Sequence, residues 1–208
     1  MAGIIRNTGL GVALLAAMIG LSGGRAHAEG FFQRIFAGPL VIEPVEAVPG
    51  KNMATQFKRQ RVHYETDEQP GTIVIDSKNK FLYLVESDNR AMRYGVGVGR
   101  EGFGWQGKVR VGRKAEWPTW TPPSEMRTRE RKKGRILPAS MKGGPENPLG
   151  ARAMYLYDGG RDTMFRIHGT SEPWTIGHNV SSGCIRMVND DVADLYARTP
   201  IGTKVIVE

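Results

Sequence analysis

Residues 10–21 form an almost unbroken apolar run, residues 29–68 hold no sustained period, and from Gly71 onward apolar residues come in short alternating bursts. Short period-2 bursts bounded by turn residues predict strands. Gly71-Thr72-Ile73-Val74-Ile75-Asp76 is rich in β-branched residues, a turn at Ser77-Lys78-Asn79 follows, and Phe81–Val85 completes a hairpin. After Ser87-Asp88-Asn89 the pattern predicts further strands over 91–98, 108–111, 151–157, 164–167 and 202–207. One helix is predicted after Asn189: Asn189 caps it, Asp190 and Asp191 suit its positive end, and Val192, Leu195 and Tyr196 share a face. Pro200 and Gly202 stop it. Many short strands with one short C-terminal helix predict a mainly β domain of the sandwich or barrel type.

The stretch from Pro122 to Gly150 fits neither period. Arg127, Arg129, Arg131, Lys132, Lys133 and Arg135 make a basic run, and Gly143-Gly144-Pro145 and Asn147-Pro148-Leu149-Gly150 read as turns. A loop this long in a compact domain is functional or merely solvated, and a lid or a contact for an anionic polymer is the functional version.

The first apolar run changes the picture of the N-terminus. Arg6 precedes it and Ala26-His27-Ala28 follows, the small-residue pattern that signal peptidase cuts. The run is too short for a membrane span, which needs about 20 apolar residues. The expected organisation is a signal peptide over 1–28, a tether over 29–68 punctuated by Pro39, Pro44 and Pro49, and a catalytic domain over 69–208. Arg6 and Arg25 leave with the signal, so the formal net charge falls from +8 to +6. A basic exported chain suits an anionic wall or membrane surface, while nucleic acid fits neither the compartment nor the scarcity of aromatics among the basic residues.

Export makes the single cysteine informative. Exported proteins usually pair their cysteines, and Cys184 has no partner in the sequence. It sits in Ser181-Ser182-Gly183-Cys184-Ile185-Arg186-Met187, sixteen residues after His168 in Ile167-His168-Gly169-Thr170. A thiolate is the reactive form of cysteine and needs a base or a cation beside it at neutral pH. His168 follows a strand and precedes a glycine, which suits the base. Gly183 permits the tight path that exposes a nucleophile, and the Cys184 N–H with a neighbour can make an oxyanion hole. Arg186, two residues on, shares a face with Cys184 and can lower its pKa or hold a carboxylate. The competing readings are a buried structural cysteine and a zinc site from His168, His178 and Cys184, whose spacing matches no compact metal motif. His178 is a second candidate base, and His63 falls in the tether.

The stretch from Gly71 to Val207 resembles the L,D-transpeptidase catalytic domain of the YkuD type, in its Gram-negative branch. The resemblance rests on His168-Gly169 and Ser181-Ser182-Gly183-Cys184-Ile185-Arg186, with Gly71–Ile75, Asn147–Gly150, Glu172-Pro173-Trp174 and Gly202–Val205 as flanking features. It implies Cys184 as nucleophile, His168 as base and the Gly169 carbonyl as orienter of the imidazole. It also implies that Ser181, Ser182, Gly183 and Arg186 support the nucleophile loop and the substrate. The family often has histidine where this chain has Ser182.

The implied reaction is attack of Cys184 on a peptidoglycan tetrapeptide stem in the periplasm, with release of D-alanine, a thioester, and transfer to an amine. No cofactor is implied. A second stem as acceptor gives a 3→3 cross-link. An outer-membrane protein as acceptor gives a wall anchor, and water gives an L,D-carboxypeptidase. A wall-binding module with a spent site and a general cysteine peptidase are the alternatives from other classes.

Overall fold

The computed structural model describes residues 53–100 and 104–208, so the signal peptide and most of the expected tether lie outside the described residues. No helix among them is long and apolar enough to cross a membrane. The fold is mainly β, as the alternating bursts predict.

The predicted hairpin is β2 (Ile73–Asp76) and β3 (Phe81–Glu86), paired antiparallel with Ile73 opposite Leu84 and Ile75 opposite Leu82. Alternation places Ile73, Ile75, Leu82 and Leu84 in one core and sends Val74 and Val85 to a smaller cluster on the opposite face. Next come β4 (Arg90–Gly95), β5 (Val98–Gly99) and β6 (Gly107–Glu116). The single strand expected over 91–98 is broken between β4 and β5, and β6 runs past Val111 through a bulge. The chain then forms β7 (Arg152–Asp158), β8 (Arg161–His168), β9 (Asn179–Ser181), β10 (Ile185–Arg186) and β11 (Lys204–Val207).

With β1 (Gln60–His63), nine strands join one sheet in the order β1-β4-β3-β2-β11-β6-β7-β8-β10. A two-residue bridge between Gly97 and Arg186 links the chain just past β4 to β10, near the other end of that order. The sheet therefore curls over itself. Val205 and Val207 of β11, Met154 and Leu156 of β7, Ile167 of β8 and Ile185 of β10 share the interior with Ile73 and Leu82.

Among the described residues there are two α-helices, where the apolar pattern predicts one. Helix α1 (Ser124–Lys132) lies inside the basic stretch read as loop, and it buries none of its residues. Periodicity cannot reveal a helix without an apolar face. The local signals are propensity, Glu125 in the first turn, Arg129, Arg131 and Lys132 in the last, and Gly134 at φ +76° beyond the end. Helix α2 (Asn189–Arg198) is the predicted one, with Val192 and Leu195 fully buried. Asn189 is its first residue and not its cap: Val188 precedes the helix with no side-chain cap bond, and the Asn189 carboxamide accepts instead from the Ala151 N–H at 2.9 Å.

Ordered structure extends ahead of residue 69. Within the stretch expected to be tether, Thr55–Phe57 forms a 3-10 turn and β1 pairs antiparallel with β4, Arg61 opposite Met92. Phe57 fills a slot where both Gly95 and Gly177 lack the side chain that would strike it, and its ring lies 5.6 Å from that of Phe81. Arg59 reaches α2, pairing with Asp194 at 3.0 Å and Asp191 at 3.7 Å, while Tyr94 donates to Asp194 at 2.6 Å. Burial raises the Asp191 carboxyl to about 6 despite Arg59. Phe57→Ala should empty this slot at a cost of about 3 kcal/mol. Urea denaturation checks it, and a loss below about 1 kcal/mol would mean that the segment is peripheral to the fold.

Candidate active site

The parallel pairing of β8 with β10 builds the site. Ile185 faces Ile167, and both point into the core; Arg186 faces His168 on the other side of the two strands. Cys184 immediately precedes β10, and the backbone N–H of Arg166 acts on its sulfur. Arg166 and His168, two apart on β8, share a face, and the Arg166 and Arg186 cations act on both His168 and Cys184, so these four residues make up one square.

His168 closes β8 and is buried, with its Nδ1 2.6 Å from the Gly169 carbonyl. A carbonyl can only accept, so Nδ1 carries the proton and Nε2 is left with its lone pair. Burial, with the Arg186 and Arg166 cations, lowers the imidazole pKa to about 4 against the pull of the Gly169 carbonyl. The ring is thus neutral at pH 7.

The loop before Cys184 is tied by one hydroxyl. Ser181 accepts from the Gly183 N–H at 3.1 Å and donates to the Cys184 carbonyl at 2.6 Å. Gly183 has φ +106°, a conformation that favours glycine. Trp105, which the sequence did not single out, stacks on Phe165 with centroids 4.8 Å apart and donates from Nε1 to the Gly183 carbonyl at 3.3 Å. Ser182 is half-buried beside this loop. Cys184 is also half-buried; burial pushes its thiol pKa up, and the backbone N–H and cation of Arg166, followed by the Arg186 cation, oppose that.

Arg186 pairs with Glu172 at 3.0 Å, and its buried Nε has no hydrogen-bond partner among the described residues. His178 stays exposed on the turn before β9, and His63 stays exposed on β1 beside Glu65 at 3.1 Å. Neither belongs to the square.

Behind His168 the expected turn motif and α2 meet. Gly150 (φ +60°) and Gly169 both lie against the Asn189 carboxamide oxygen, where neither has room for a Cβ. Asn147 is buried and organises the turn, donating to the carbonyls of Pro118 (3.0 Å), Met141 (3.1 Å) and Lys142 (3.0 Å) and accepting from the Leu149 N–H at 2.8 Å. Paired backbone bonds between Trp120 and Met141, each 2.8 Å, close the neck of the segment that carries α1. Gly150→Ala should lower stability by at least about 2 kcal/mol through left-handed strain and displacement of Asn189. Thermal unfolding checks it; an unchanged Tm would show that Asn189 yields freely.

Residues 70–207 match the sequence profile of the L,D-transpeptidase catalytic domain, YkuD. The chain belongs to that family. It is 35% identical over 139 residues to the probable L,D-transpeptidase YbiS of Escherichia coli K12, covering 65% of this chain and 43% of that protein. It is 32% identical over 174 residues to a putative L,D-transpeptidase of Fuscovulum blasticum, covering 81% of this chain and 86% of the relative. The chain thus spans less than half the length of YbiS.

Among solved structures it is similar to a probable carnitine operon oxidoreductase caia from Brucella melitensis. That likeness has 52% identity and a TM-score of 0.50, covering 74% of this chain and 96% of the other. A dinucleotide turn does not follow for this chain. Gly97-Val98-Gly99-Arg100-Glu101-Gly102 has the glycine spacing, but Val98–Gly99 is β5, paired with β9, and the next described element is strand β6. Such a turn needs a helix N-terminus to receive the pyrophosphate.

Proposed function

We propose that this chain is a periplasmic L,D-transpeptidase acting on peptidoglycan tetrapeptide stems through a Cys184 thioester. The observation that carries the reading is the 2.6 Å contact between His168 Nδ1 and the Gly169 carbonyl, which leaves Nε2 as acceptor on the strand beside Cys184. Family membership supplies the reaction class.

The Cys184 sulfur attacks the carbonyl between the third stem residue and the terminal D-alanine as Nε2 of His168 takes the thiol proton. The tetrahedral oxyanion is met by the backbone N–H of Cys184, since the Gly183 N–H is committed to Ser181. His168 then gives its proton to the departing D-alanine amine, and the thioester remains. A second stem's side-chain amine attacks, His168 takes its proton, and the thiol is restored with a 3→3 cross-link formed. Arg186, whose Nε lacks a partner among the described residues, is the candidate for a substrate carboxylate. These steps balance without a metal or organic cofactor. An outer-membrane protein or water as acceptor shares every step up to the thioester. Residues 1–28 are the export signal, and the chain from residue 29 toward Phe57 is the tether. The basic α1 segment is the contact for the anionic wall.

The test follows D-alanine release from a disaccharide-tetrapeptide by mass spectrometry. A cross-linked dimer among the products supports amine transfer, tripeptide indicates water, and an acyl-enzyme that persists points to a missing protein acceptor. With neither release nor acyl-enzyme, the proposal fails, because acylation precedes any acceptor.

A further inference from the structure

The strand registers draw a line of side chains across β6, β7 and β8 toward the nucleophile. Arg113 of β6 faces Tyr155 of β7, Tyr155 faces Arg166 of β8, and the Arg166 N–H and cation act on the sulfur of Cys184, the residue before β10. Contacts follow this line. The Arg113 and Arg166 guanidinium carbons lie 3.4 and 4.4 Å from the centre of the Tyr155 ring. Arg166 is clamped by Asp162 in a two-bond fork of 2.7 and 2.9 Å, and its side chain is only 12% exposed.

An arginine held by a carboxylate fork and an aromatic face has little rotamer freedom left. Its charge therefore stays in one place relative to the sulfur. Burial raises the Asp162 carboxyl, but the Met164 N–H and the Arg166 guanidinium outweigh it, so the clamp stays ionised.

We propose that Arg166 is a positioning residue for Cys184: locked by Asp162 and Tyr155, it sets a fixed cation and a backbone N–H beside the sulfur and so controls how readily the thiolate forms. The other charged and titratable groups facing this site are His168 on β8, Arg186 on β10 with its partner Glu172, Asp162 on β8 and Arg113 on β6. Among them Arg166 alone acts on the sulfur through both its backbone and its charge. The inference rests on Cys184 being the nucleophile of the proposed reaction. Its test needs no substrate.

The test is the pH dependence of Cys184 alkylation by iodoacetamide in the full chain, which tracks thiolate directly because no other cysteine is present. Arg166→Gln should move the profile to higher pH by about one unit, a roughly 10-fold slower reaction at pH 8. Arg166→Lys, which keeps the charge without the fork, should restore most of the rate. Asp162→Asn breaks the charged fork that fixes Arg166, so its profile should also move to higher pH, by less than that of Arg166→Gln. Recovery in Arg166→Lys separates charge from packing, because lysine restores the cation and not the fork. If Arg166→Gln does not fold, the Asp162→Asn shift still decides. Arg166→Gln and wild-type profiles that superimpose, or an Asp162→Asn profile that stays put or falls, would overturn the proposal. A shifting profile in a chain that releases no D-alanine would defeat the proposed function and leave this inference standing.

Discussion

Replacing Cys184 by alanine should abolish both acyl-enzyme formation and D-alanine release, with no residual turnover on stem peptides. The proposed bond-forming atom is the sulfur itself, and no second thiol exists in the chain to substitute for it. The fold should survive, because the loop is tied by Ser181 through the backbone of residues 183 and 184 and not through the thiol. Comparison of circular dichroism and Tm with the wild type separates the two effects. Release that persists in a well-folded Cys184→Ala chain would end the covalent mechanism.

His168→Ala should slow acylation by at least ~10²-fold, the usual contribution of a positioned general base. The pH profile carries more information than the rate. With the imidazole lowered to about 4, the acid limb of kcat/KM should fall near pH 4, well below the ordinary histidine range near 6.5. The sign is set by burial: between these values the folded ring stays neutral while the unfolded ring is charged. The same window therefore loses stability as pH falls, and His168→Ala should lessen that loss. An acid limb near 6.5 would mean that the ring is better solvated than its surroundings imply. A near-wild-type rate for His168→Ala would pass the role of base to another group, with exposed His178 the first to try.

The strands that carry the site were legible because alternation survives in single strands: Ile73, Ile75, Leu82, Leu84 and Val205 each announce a face. Cys184, His168 and Arg186 were legible as residue types, and their meeting followed from the family motif. Arg166 could have been found by noting that it shares a face with His168 two residues on. Nothing local marks its clamp, because Asp162 and Tyr155 reach it through sheet pairing. Trp105 was missed and Asn189 was read as a helix cap for the same reason, since each bonds a backbone group far away in sequence. Helix α1 was hidden because a helix with no buried face leaves no period to read. Strand β1 and Phe57 were hidden in a polar stretch, where one phenylalanine and four paired residues make too short a pattern.

The two ends of the curled sheet are guarded differently. At β10 the Gly97–Arg186 bridge ties the edge back to the fold, whereas at the other end, among the described residues, β1 is the strand that covers the β4 edge. A bare β4 would offer a row of unpaired N–H and C=O groups to any other chain, a common seed of aggregation. β1 replaces that edge with Gln60, Arg61 and His63, all exposed. A recombinant chain begun at residue 69 would lack β1 and carry the bare β4 edge into solution, where it should self-associate more readily than the full chain.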